Sequence, residues 1–326
     1  MGDGVSWSRR GFLSARGLGA SAGGALGALL ADGIDIRRQH LRLEVCYSRR
    51  AMGCEFNVYC RPTEPQSMAA ADAALDEIQQ MEELLTVYSD SSPMADVNRH
   101  AHPGPVVADG RIIEVLLRAQ ELNRLTEGAF DAATGALVRA WGFLKGPRRI
   151  PSDRQLEATR ACSGMRHVEL DAERRTVRYR LPGLEVNLGG IGKGYAIDRA
   201  ARRMREEFGV TSALIQGGLS STYAMGSASD EEDGWLVGIQ NPFDTRERIA
   251  TIRLRDRALG TSAANRKYFE SGGRRLGHIL DPRTGRPAQS DLACASVLAA
   301  DAATADALST ALFVCGLDKT RAFCHN

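Results

Sequence analysis

The sequence has almost no excess of charge of either sign. Its 42 Lys and Arg residues oppose 40 Asp and Glu residues, which leaves a formal net charge of +2. A chain so balanced lacks the basic footprint that binding to the phosphates of a nucleic acid requires. We therefore expect no nucleic-acid partner.

Long apolar runs and simple repeats are also missing. No apolar run reaches the ~20 residues that a membrane-spanning helix needs. No Gly-X-Y period or sustained heptad is present, which excludes collagen-like and coiled-coil chains. Apolar residues nevertheless make up 43% of the 326 residues, which excludes a disordered chain. The composition is that of a soluble globular protein, either an enzyme or a binding protein.

The cysteines form no recognisable metal or redox motif. The seven lie at positions 46, 54, 60, 162, 294, 315 and 324, and no two of them form a C-x-x-C pair. Zinc ribbons and thioredoxin-like chemistry therefore have no support. We expect most of these cysteines to be small buried apolar residues.

Residues 1–38 are predicted to be a signal and linker that precede one domain over residues 39–326. Arg9 and Arg10 are followed by Phe12 and Leu13 and then by a Gly-rich, mildly apolar stretch. This pattern resembles a twin-arginine export signal; the alternative is a disordered basic start with a chance Arg-Arg pair. A signal predicts localisation at the cell envelope, on its periplasmic or extracytoplasmic side. Membrane association is expected only through this segment or through a membrane-bound target.

The remaining chain mixes helix-like and strand-like segments without long linkers. Helices are predicted over 67–87, 111–126, 193–208 and 302–315, where apolar residues recur every three or four positions. Strands are predicted at 166–170, 175–181, 184–188, 212–216, 235–240, 249–254, 277–280 and 293–299. Because strands and helices do not alternate in strict βαβ order, we predict an α+β fold with a single mixed domain.

A glycine-rich stretch joins a predicted strand to a predicted helix. Residues 189–195 read GGIGKGY. Glycines permit close backbone approach, and N–H groups at a helix start favour an anion such as phosphate, whose charge Lys193 would neutralise. The stretch is neither a P-loop nor a dinucleotide fingerprint, because its spacing fits neither motif. Taken alone, the stretch is better explained as a glycine turn with a surface lysine.

The final predicted helix carries a carboxylate and a hydroxyl on one face. Asp306 and Thr310 are four residues apart, so their oxygens lie on the same side of the helix. Such a pair suits a hard cation such as Mg²⁺, which takes water and phosphate oxygens as its other ligands. Alternatively, Asp306 is a first-turn carboxylate that the helix dipole favours, and Thr310 is an ordinary helical residue.

Two further segments offer candidate functional residues. His278 opens an apolar strand that ends in a Pro/Gly turn, where it could accept a proton near neutral pH or serve as a structural hydrogen-bonding group. Residues 128–135 read GAFDAATG and are followed by Trp141 and Phe143. Glycines beside aromatics can form a slot for a ring system with Asp131 as a polar clamp, or simply a packed turn.

Taken together and in this order, these segments resemble the ApbE family of FAD:protein FMN transferases. The resemblance covers nearly everything after residue 45. The matching motifs are AMGC at 51–54, YSD at 88–90, VN at 97–98, GAFD at 128–131, WGF at 141–143, NLGGIGKGYAID at 187–198, QGG at 216–218, GTS at 260–262, HILDP at 278–282 and DALSTA at 306–311. Each motif is weak alone, but the ordered set is specific.

The resemblance implies an activity, a substrate and a cofactor. Members of the family bind FAD and a divalent cation, usually Mg²⁺, and move the FMN half onto a Thr or Ser hydroxyl of a target protein with release of AMP. Some members hydrolyse FAD to FMN and AMP instead. A flavin-binding protein without catalysis is the alternative from a different class, and it would have no metal-dependent turnover to lose.

The resemblance also implies roles for individual residues. FAD would contact Met52, Tyr88, Ala129, Phe130, Asp131, Asn187, Lys193 and Ile279. The cation would be held by Asp306 and Thr310 and by main-chain oxygens near Gly192 and Ser309. Catalysis would depend on Asp306 and Lys193, with His278 as the proton acceptor.

The sequence departs from the family pattern in three places. Asn187 stands where members usually carry Asp, which replaces a charged acceptor by a neutral amide. Ala263 follows Thr261 and Ser262 in place of a usual Gly. Members commonly continue beyond the last matched helix with further helix and strand, so the resemblance predicts a shortened end at residue 326.

Overall fold

A six-stranded antiparallel sheet is the centre of the structure, a computed structural model that describes residues 44–61, 66–230, 233–244, 246–263 and 268–325. Its strand order is β1-β2-β6-β7-β10-β15. The strands are β1 (Val45–Ala51), β2 (Cys54–Cys60), β6 (Ala213–Gly217), β7 (Ser221–Met225), β10 (Arg257–Ala263) and β15 (Cys294–Ala299). The predicted signal and linker over 1–38 lie outside the described residues. No helix of the described part is long and apolar enough to cross a membrane.

Three long helices cover one face of this sheet. They are α1 (Ser67–Leu85), α6 (Gly192–Phe208) and α7 (Ala302–His325). Leu75, Ile78 and Met81 of α1 recur at helical spacing and are buried, and they belong to the main core with Phe56 and Ile215 of the sheet. The helices lie across strands that are distant in sequence, so the core joins both halves of the chain.

A two-stranded ribbon lies on the opposite face. It consists of β8 (Trp235–Gln240) and β9 (Arg248–Leu254). Val237 and Ile239 of β8 alternate with exposed residues and pack on Leu214 and Leu259 of the sheet. The period of two places one side of the ribbon on the sheet and leaves the other in solvent.

The remaining elements lie outside the central sheet and its three long helices. The helices are α2 (Pro93–His100), α3 (Gly110–Leu125), α4 (Gly135–Ala140) and α5 (Asp153–Ala161). Three strands form a small sheet in the order β3-β5-β4: β3 (Val106–Val107), β4 (Val168–Asp171) and β5 (Thr176–Tyr179). Two hairpins complete the set: β11 (Tyr268–Ser271) with β12 (Arg274–Gly277), and β13 (Leu280–Asp281) with β14 (Arg286–Pro287).

The structure confirms the α+β class and the four predicted helices, but two predicted strands are wrong. Residues 184–188 are not a ladder strand. They are an extended segment that the Asn98 side chain holds through two hydrogen bonds of 2.9 Å. Asn98 Nδ2 donates to Val186 O, and Asn98 Oδ1 accepts from the Val186 N–H. Residues 277–280 are interrupted by a bend at His278. The last helix also runs past its predicted end, through a non-helical Gly316.

The cysteines correct one expectation. None of the seven, all within the described residues, forms a disulfide, but only Cys60 is fully buried. Cys324 is exposed and the other five are half-buried, because most lie near strand edges or in the outer layer. The prediction of mostly buried cysteines is therefore wrong.

Candidate active site

The first turn of α6 and the turn between β6 and β7 meet at a lysine. Lys193, the second residue of α6, donates from Nζ to Ser220 Oγ. Ser220 ends the turn that follows the glycine pair Gly217 and Gly218. The contact places an ammonium group at the ends of the two middle strands of the central sheet, where a phosphate could approach it.

Asp306 of α7 projects into the same place. Its Oδ2 accepts the Gly194 N–H at 2.8 Å and the Ser221 hydroxyl at 3.0 Å. The residue is buried, with 7% of its surface exposed. The structure therefore brings together Lys193, Asp306 and two serines, from elements more than 100 residues apart in the sequence.

Two glycines allow α7 to lie this close. A methyl group on Gly194 would be 2.6 Å from the amide nitrogen of Ala303 and closer still to the Ala302 carbonyl. A methyl group on Gly260 of β10 would be 2.7 Å from the Asp306 nitrogen. Since carbon atoms in contact stay about 3.5–4.0 Å apart, any side chain at either position would push α7 and its carboxylate away.

The environment of Asp306 opposes its ionisation only in part. Burial raises the pKa of its carboxyl to about 6, while the charge of Lys193 and the hydrogen bonds from Ser221 and Gly194 act in the opposite direction. Desolvation makes an unpaired carboxylate costly here, and a cation nearby would offset that cost. The site therefore favours binding of a positive charge.

A group of hydroxyls continues the site along α7. Ser262 of β10 lies 2.9 Å from Ser309 and 3.1 Å from Thr310, measured between side-chain oxygens. Both α7 hydroxyls also donate to the Asp306 carbonyl. A methyl group on Gly190 would contact Thr310 Oγ1 at 3.7 Å, so the glycine stretch faces this group.

The donors of this site suit a hard cation. Asp306 supplies a carboxylate, and Thr310, Ser262 and Ser309 supply hydroxyl oxygens. Among the residues that the structure describes, no cluster of three or more His, Cys, Asp or Glu side chains could hold a metal. A cation here would need oxygens from water or phosphate in addition, which is the usual coordination of Mg²⁺. The residues fit such an ion.

The glycine stretch differs from the expected row of open N–H groups. Gly189 N donates to Asn187 Oδ1, and the amides of Ile191 and Gly192 both donate to Leu188 O. Gly194 N is taken by Asp306. These four donors are occupied within the protein, so the Lys193 side chain is the main positive group that the stretch offers to an anion.

The GAFD turn packs against the glycine stretch. Ala129 and Phe130 are buried, and a methyl group on Gly190 would lie 3.2 Å from the Phe130 ring. The Asp131 carboxylate accepts from the main-chain nitrogens of Ala133 and Met165 and from the Asn123 side chain. Burial raises the pKa of Asp131. The side chain thus fixes the turn from within, and its role as a polar clamp for a ring system stays a prediction.

The other predicted flavin contacts lie around this centre. Met52 occupies the two-residue turn between β1 and β2 with a positive φ of 49°. The neighbouring β2 strand accepts Gly218 N at Glu55 O, 2.8 Å away, which holds the β6–β7 turn beside it. Ile279 is half-buried against the main core. Their flavin contacts, and the metal contacts of Gly192 and Ser309, stay predictions.

Tyr88 and His278 have less defined places. Tyr88 is 58% exposed in the loop between α1 and α2, in a separate surface cleft that Arg50 and Arg111 also line. His278 is half-buried at the bend between β12 and β13. The catalytic role assigned to His278 stays a prediction.

The sequence analysis assigned no role to three serines of the site or to Asn98, which holds the extended segment before the glycine stretch. Ser220 and Ser221 follow the QGG motif after one intervening residue, Leu219, and Ser262 belongs to the GTS motif, but no role was assigned to them. Asn98 belongs to the VN motif, and its side chain also accepts the Tyr179 hydroxyl at 2.8 Å. The available signal was the position of each residue inside or close to a motif; the partner of each became visible only in the fold.

Comparisons with known proteins agree with this geometry. Residues 52–326 match the model of the ApbE family. The FAD:protein FMN transferase of Haemophilus influenzae is 35% identical over 242 residues, which are 72% of this chain and 69% of that protein. The FAD:protein FMN transferase of Escherichia coli K12 is 32% identical over 246 residues, 74% of this chain and 69% of that protein.

A solved structure extends the likeness to the fold. The crystal structure of the ApbE protein from Thermotoga maritima superposes with a TM-score of 0.78 at 29% identity. The match covers 85% of this chain and 89% of that one. The arrangement of sheet and helices described above is therefore shared with an ApbE protein.

Proposed function

The chain belongs to the ApbE family and transfers FMN from FAD to a target protein, and we propose that it does so at the cluster of Lys193, Asp306 and Thr310. The observation that carries this proposal is the buried Asp306 carboxylate held on the first turn of α6, beside the Lys193 ammonium group. FAD is the substrate, and a Thr or Ser hydroxyl of the target protein is the acceptor.

The proposed reaction is a phosphoryl transfer at the diphosphate of FAD. The acceptor oxygen attacks the phosphorus of the FMN half and forms a new P–O bond. The bond from that phosphorus to the bridging oxygen breaks, and AMP leaves with the bridging oxygen. The hydroxyl proton passes to a base, for which we propose His278. The product is a phosphoester between FMN and the target protein.

Lys193 and the three hydroxyl-bearing residues Ser262, Ser309 and Thr310 have distinct roles in this proposal. Phosphoryl transfer depends on positioning and on neutralisation of the phosphate oxygens more than on a covalent nucleophile of the enzyme. Lys193 is held by Ser220 of the β6–β7 turn and supplies one positive charge. Ser262 orients the Thr310 and Ser309 hydroxyls, so that their oxygens keep a fixed position.

A divalent cation, Mg²⁺ by the chemistry of the donors, is part of the proposal. Asp306 and Thr310 would hold it, together with main-chain oxygens near Gly192 and Ser309. Such an ion neutralises phosphate charge and stabilises the leaving oxygen. The buried, raised-pKa carboxyl of Asp306 supports this assignment, because a cation removes the cost of keeping it ionised.

The test compares two substitutions on the same helix. Asp306→Asn keeps an oxygen that can accept the Gly194 N–H, so the fold is expected to persist. It removes the negative charge, and we expect Mg²⁺-dependent conversion of FAD to fall by at least about a hundredfold. Asp318→Asn, on an exposed part of α7, is the control and should match the wild type.

The products separate the candidate activities. Chromatography of the reaction with FAD, Mg²⁺ and an acceptor should show AMP, and mass spectrometry should show an added FMN on Thr or Ser. Free FMN in the absence of any acceptor would identify an FAD pyrophosphatase. A third outcome is that the wild type binds FAD without turnover and that Asp306→Asn binds FAD equally well. This outcome would identify a flavin-binding protein and refute catalysis.

We also propose that the protein is exported by a twin-arginine route. The support is the sequence pattern of Arg9, Arg10, Phe12 and Leu13. Replacing both arginines by lysine should retain the protein in the cytoplasm, as measured by cell fractionation. Unchanged distribution of the double variant would contradict the proposal.

A further inference from the structure

A cleft lies between the β8–β9 ribbon and the face of the central sheet that the helices leave uncovered. We call it the ribbon cleft. It has a volume of about 320 Å³. Its floor includes Gln216, Thr222 and Thr261, and the apolar side chains of Val237 and Ile239 form its wall. The floor residues alternate with residues that face the helices, so the cleft and the Asp306 site lie on opposite faces of the same strands.

The ribbon cleft reaches the candidate active site at the β6–β7 turn. Ser220 lines the cleft and also accepts the hydrogen bond from Lys193. Thr261 of the floor donates its main-chain N–H to Ser220 O at 2.7 Å. A group bound in the cleft near this turn would therefore adjoin the ammonium group that is proposed to hold the diphosphate.

The chemistry of the lining excludes a phosphate and favours an uncharged occupant. The residues that line the cleft are apolar or carry amide, hydroxyl or thiol groups, and none of them is Asp, Glu, Lys or Arg. A phosphate placed there would lose its hydration without a cation to replace it. The hydroxyls and amides of the floor instead suit the main chain and the small polar side chains of a peptide.

Two large apolar side chains project from the rims. Leu219, in the β6–β7 turn, is 66% exposed, and Phe243, which follows the lining residue Pro242, is 88% exposed. A peptide bound between these two residues would remove their apolar surface from water, which favours binding. Leu236 is also partly exposed, at 46%, but it alternates with the wall residues and lies on the outer face of the ribbon.

We propose that the ribbon cleft binds the acceptor segment of the target protein, and that it selects segments with small uncharged residues around the acceptor hydroxyl. Leu219 and Phe243 anchor the segment at the two rims. Near the β6–β7 turn, the Thr or Ser oxygen of the bound segment then lies beside the phosphorus that Lys193 contacts. This inference rests on the proposed transfer reaction and adds to it the place and the chemical selectivity of the protein substrate.

The experiment uses synthetic decapeptides with one central Thr. In one set the flanking residues are Ser, Ala and Gln, and in the other they are Asp and Lys. The full-length wild type and the variants Leu219→Asp, Phe243→Ala and Leu236→Ala are incubated with FAD, Mg²⁺ and each set. FMN adducts are quantified by mass spectrometry, AMP by chromatography, FAD affinity by flavin fluorescence and folding by thermal denaturation.

The wild type is expected to modify the uncharged set at least about tenfold faster than the charged set. Leu219→Asp and Phe243→Ala should each lower kcat/KM for the uncharged set by about tenfold, with FAD affinity and melting temperature unchanged. Leu236→Ala should match the wild type. The unchanged FAD affinity separates loss of peptide binding from damage to the flavin site.

Other outcomes overturn one proposal or the other. If the wild type modifies peptides and both rim variants do so equally well, the ribbon cleft does not bind the acceptor. Equal rates on the two sets refute the selectivity. If the wild type cleaves FAD but labels neither set, the cleft does not bind a peptide. If it consumes no FAD under any condition, the proposed function itself fails.

Discussion

The contact between α6 and α7 gives a sharp test of how the site is built. Replacing Gly194 by Ala would place a methyl group 2.6 Å from the Ala303 nitrogen and closer to the Ala302 carbonyl. Both are main-chain atoms of α7, which cannot rotate away as a side-chain tip can. The two helices must separate by roughly 1 Å to restore normal contact distances. This movement stretches the 2.8 Å bond from Gly194 N to Asp306.

Overpacking of this kind costs about 3 kcal/mol. For a domain of this size that corresponds to a fall in melting temperature of about 5 °C. We also expect FAD conversion by Gly194→Ala to fall by at least about tenfold, because the Asp306 carboxylate moves with α7. The measurements are thermal denaturation followed by circular dichroism and a chromatographic assay of FAD consumption.

Gly110→Ala is the matched control. Gly110 also lies in the first turn of a helix, α3, but a methyl group there meets only Arg175 Cδ at 3.8 Å. Alanine is a better helix former than glycine, so this variant should be as stable as the wild type or slightly more stable. If Gly194→Ala melts within about 2 °C of the wild type and keeps full activity, the close approach of α6 and α7 does not position Asp306.

Three further predictions concern residues around the site. Lys193→Met should lower the rate of FAD conversion by about a hundredfold through loss of phosphate neutralisation; a rate equal to that of the wild type would remove Lys193 from the mechanism. Asn98→Ala should destabilise the fold by about 3 kcal/mol in urea denaturation, because the Val186 main chain and the Tyr179 hydroxyl lose buried partners; a loss below about 1 kcal/mol would contradict this. Burial raises the pKa of Asp198 to about 7, so the folded state binds more protons than the unfolded state. The stability that this carboxyl contributes is complete below about pH 4 and is lost as the pH rises to 7. The wild-type melting temperature should therefore fall relative to Asp198→Asn between about pH 5 and pH 8, and parallel profiles would refute the assignment.

The sequence predicts the parts of the fold that local patterns encode. The helix at 193–208 is an example, since its apolar spacing and the glycine that follows it are both local signals; the structure shows α6 ending at Gly209 in a left-handed conformation. The segment 184–188 shows the limit. Its apolar residues fit a strand, but its backbone hydrogen bonds go to residues distant in the sequence, including the Asn98 side chain. No local pattern contains that information.

The same distinction applies to the site. Asp306 and Thr310 are four residues apart on a predicted helix, so the sequence alone predicts that their oxygens lie on the same side of that helix. The approach of Lys193 to Ser220, and of Asp306 to Gly194, depends on how α6 and α7 cross the sheet. Four main-chain donors of the glycine stretch were expected to be open but are occupied, and only the fold shows which acceptors reach them.

The Gly194 amide described above offers a direct view of the integrity of the site. Its proton is buried and is held by a carboxylate 112 positions further along the chain. It can exchange with deuterium only when the two helices part, so its protection factor measures the free energy of that opening. A single backbone resonance would thus report, in the resting enzyme and without any flavin, how often the Asp306 carboxylate leaves its place.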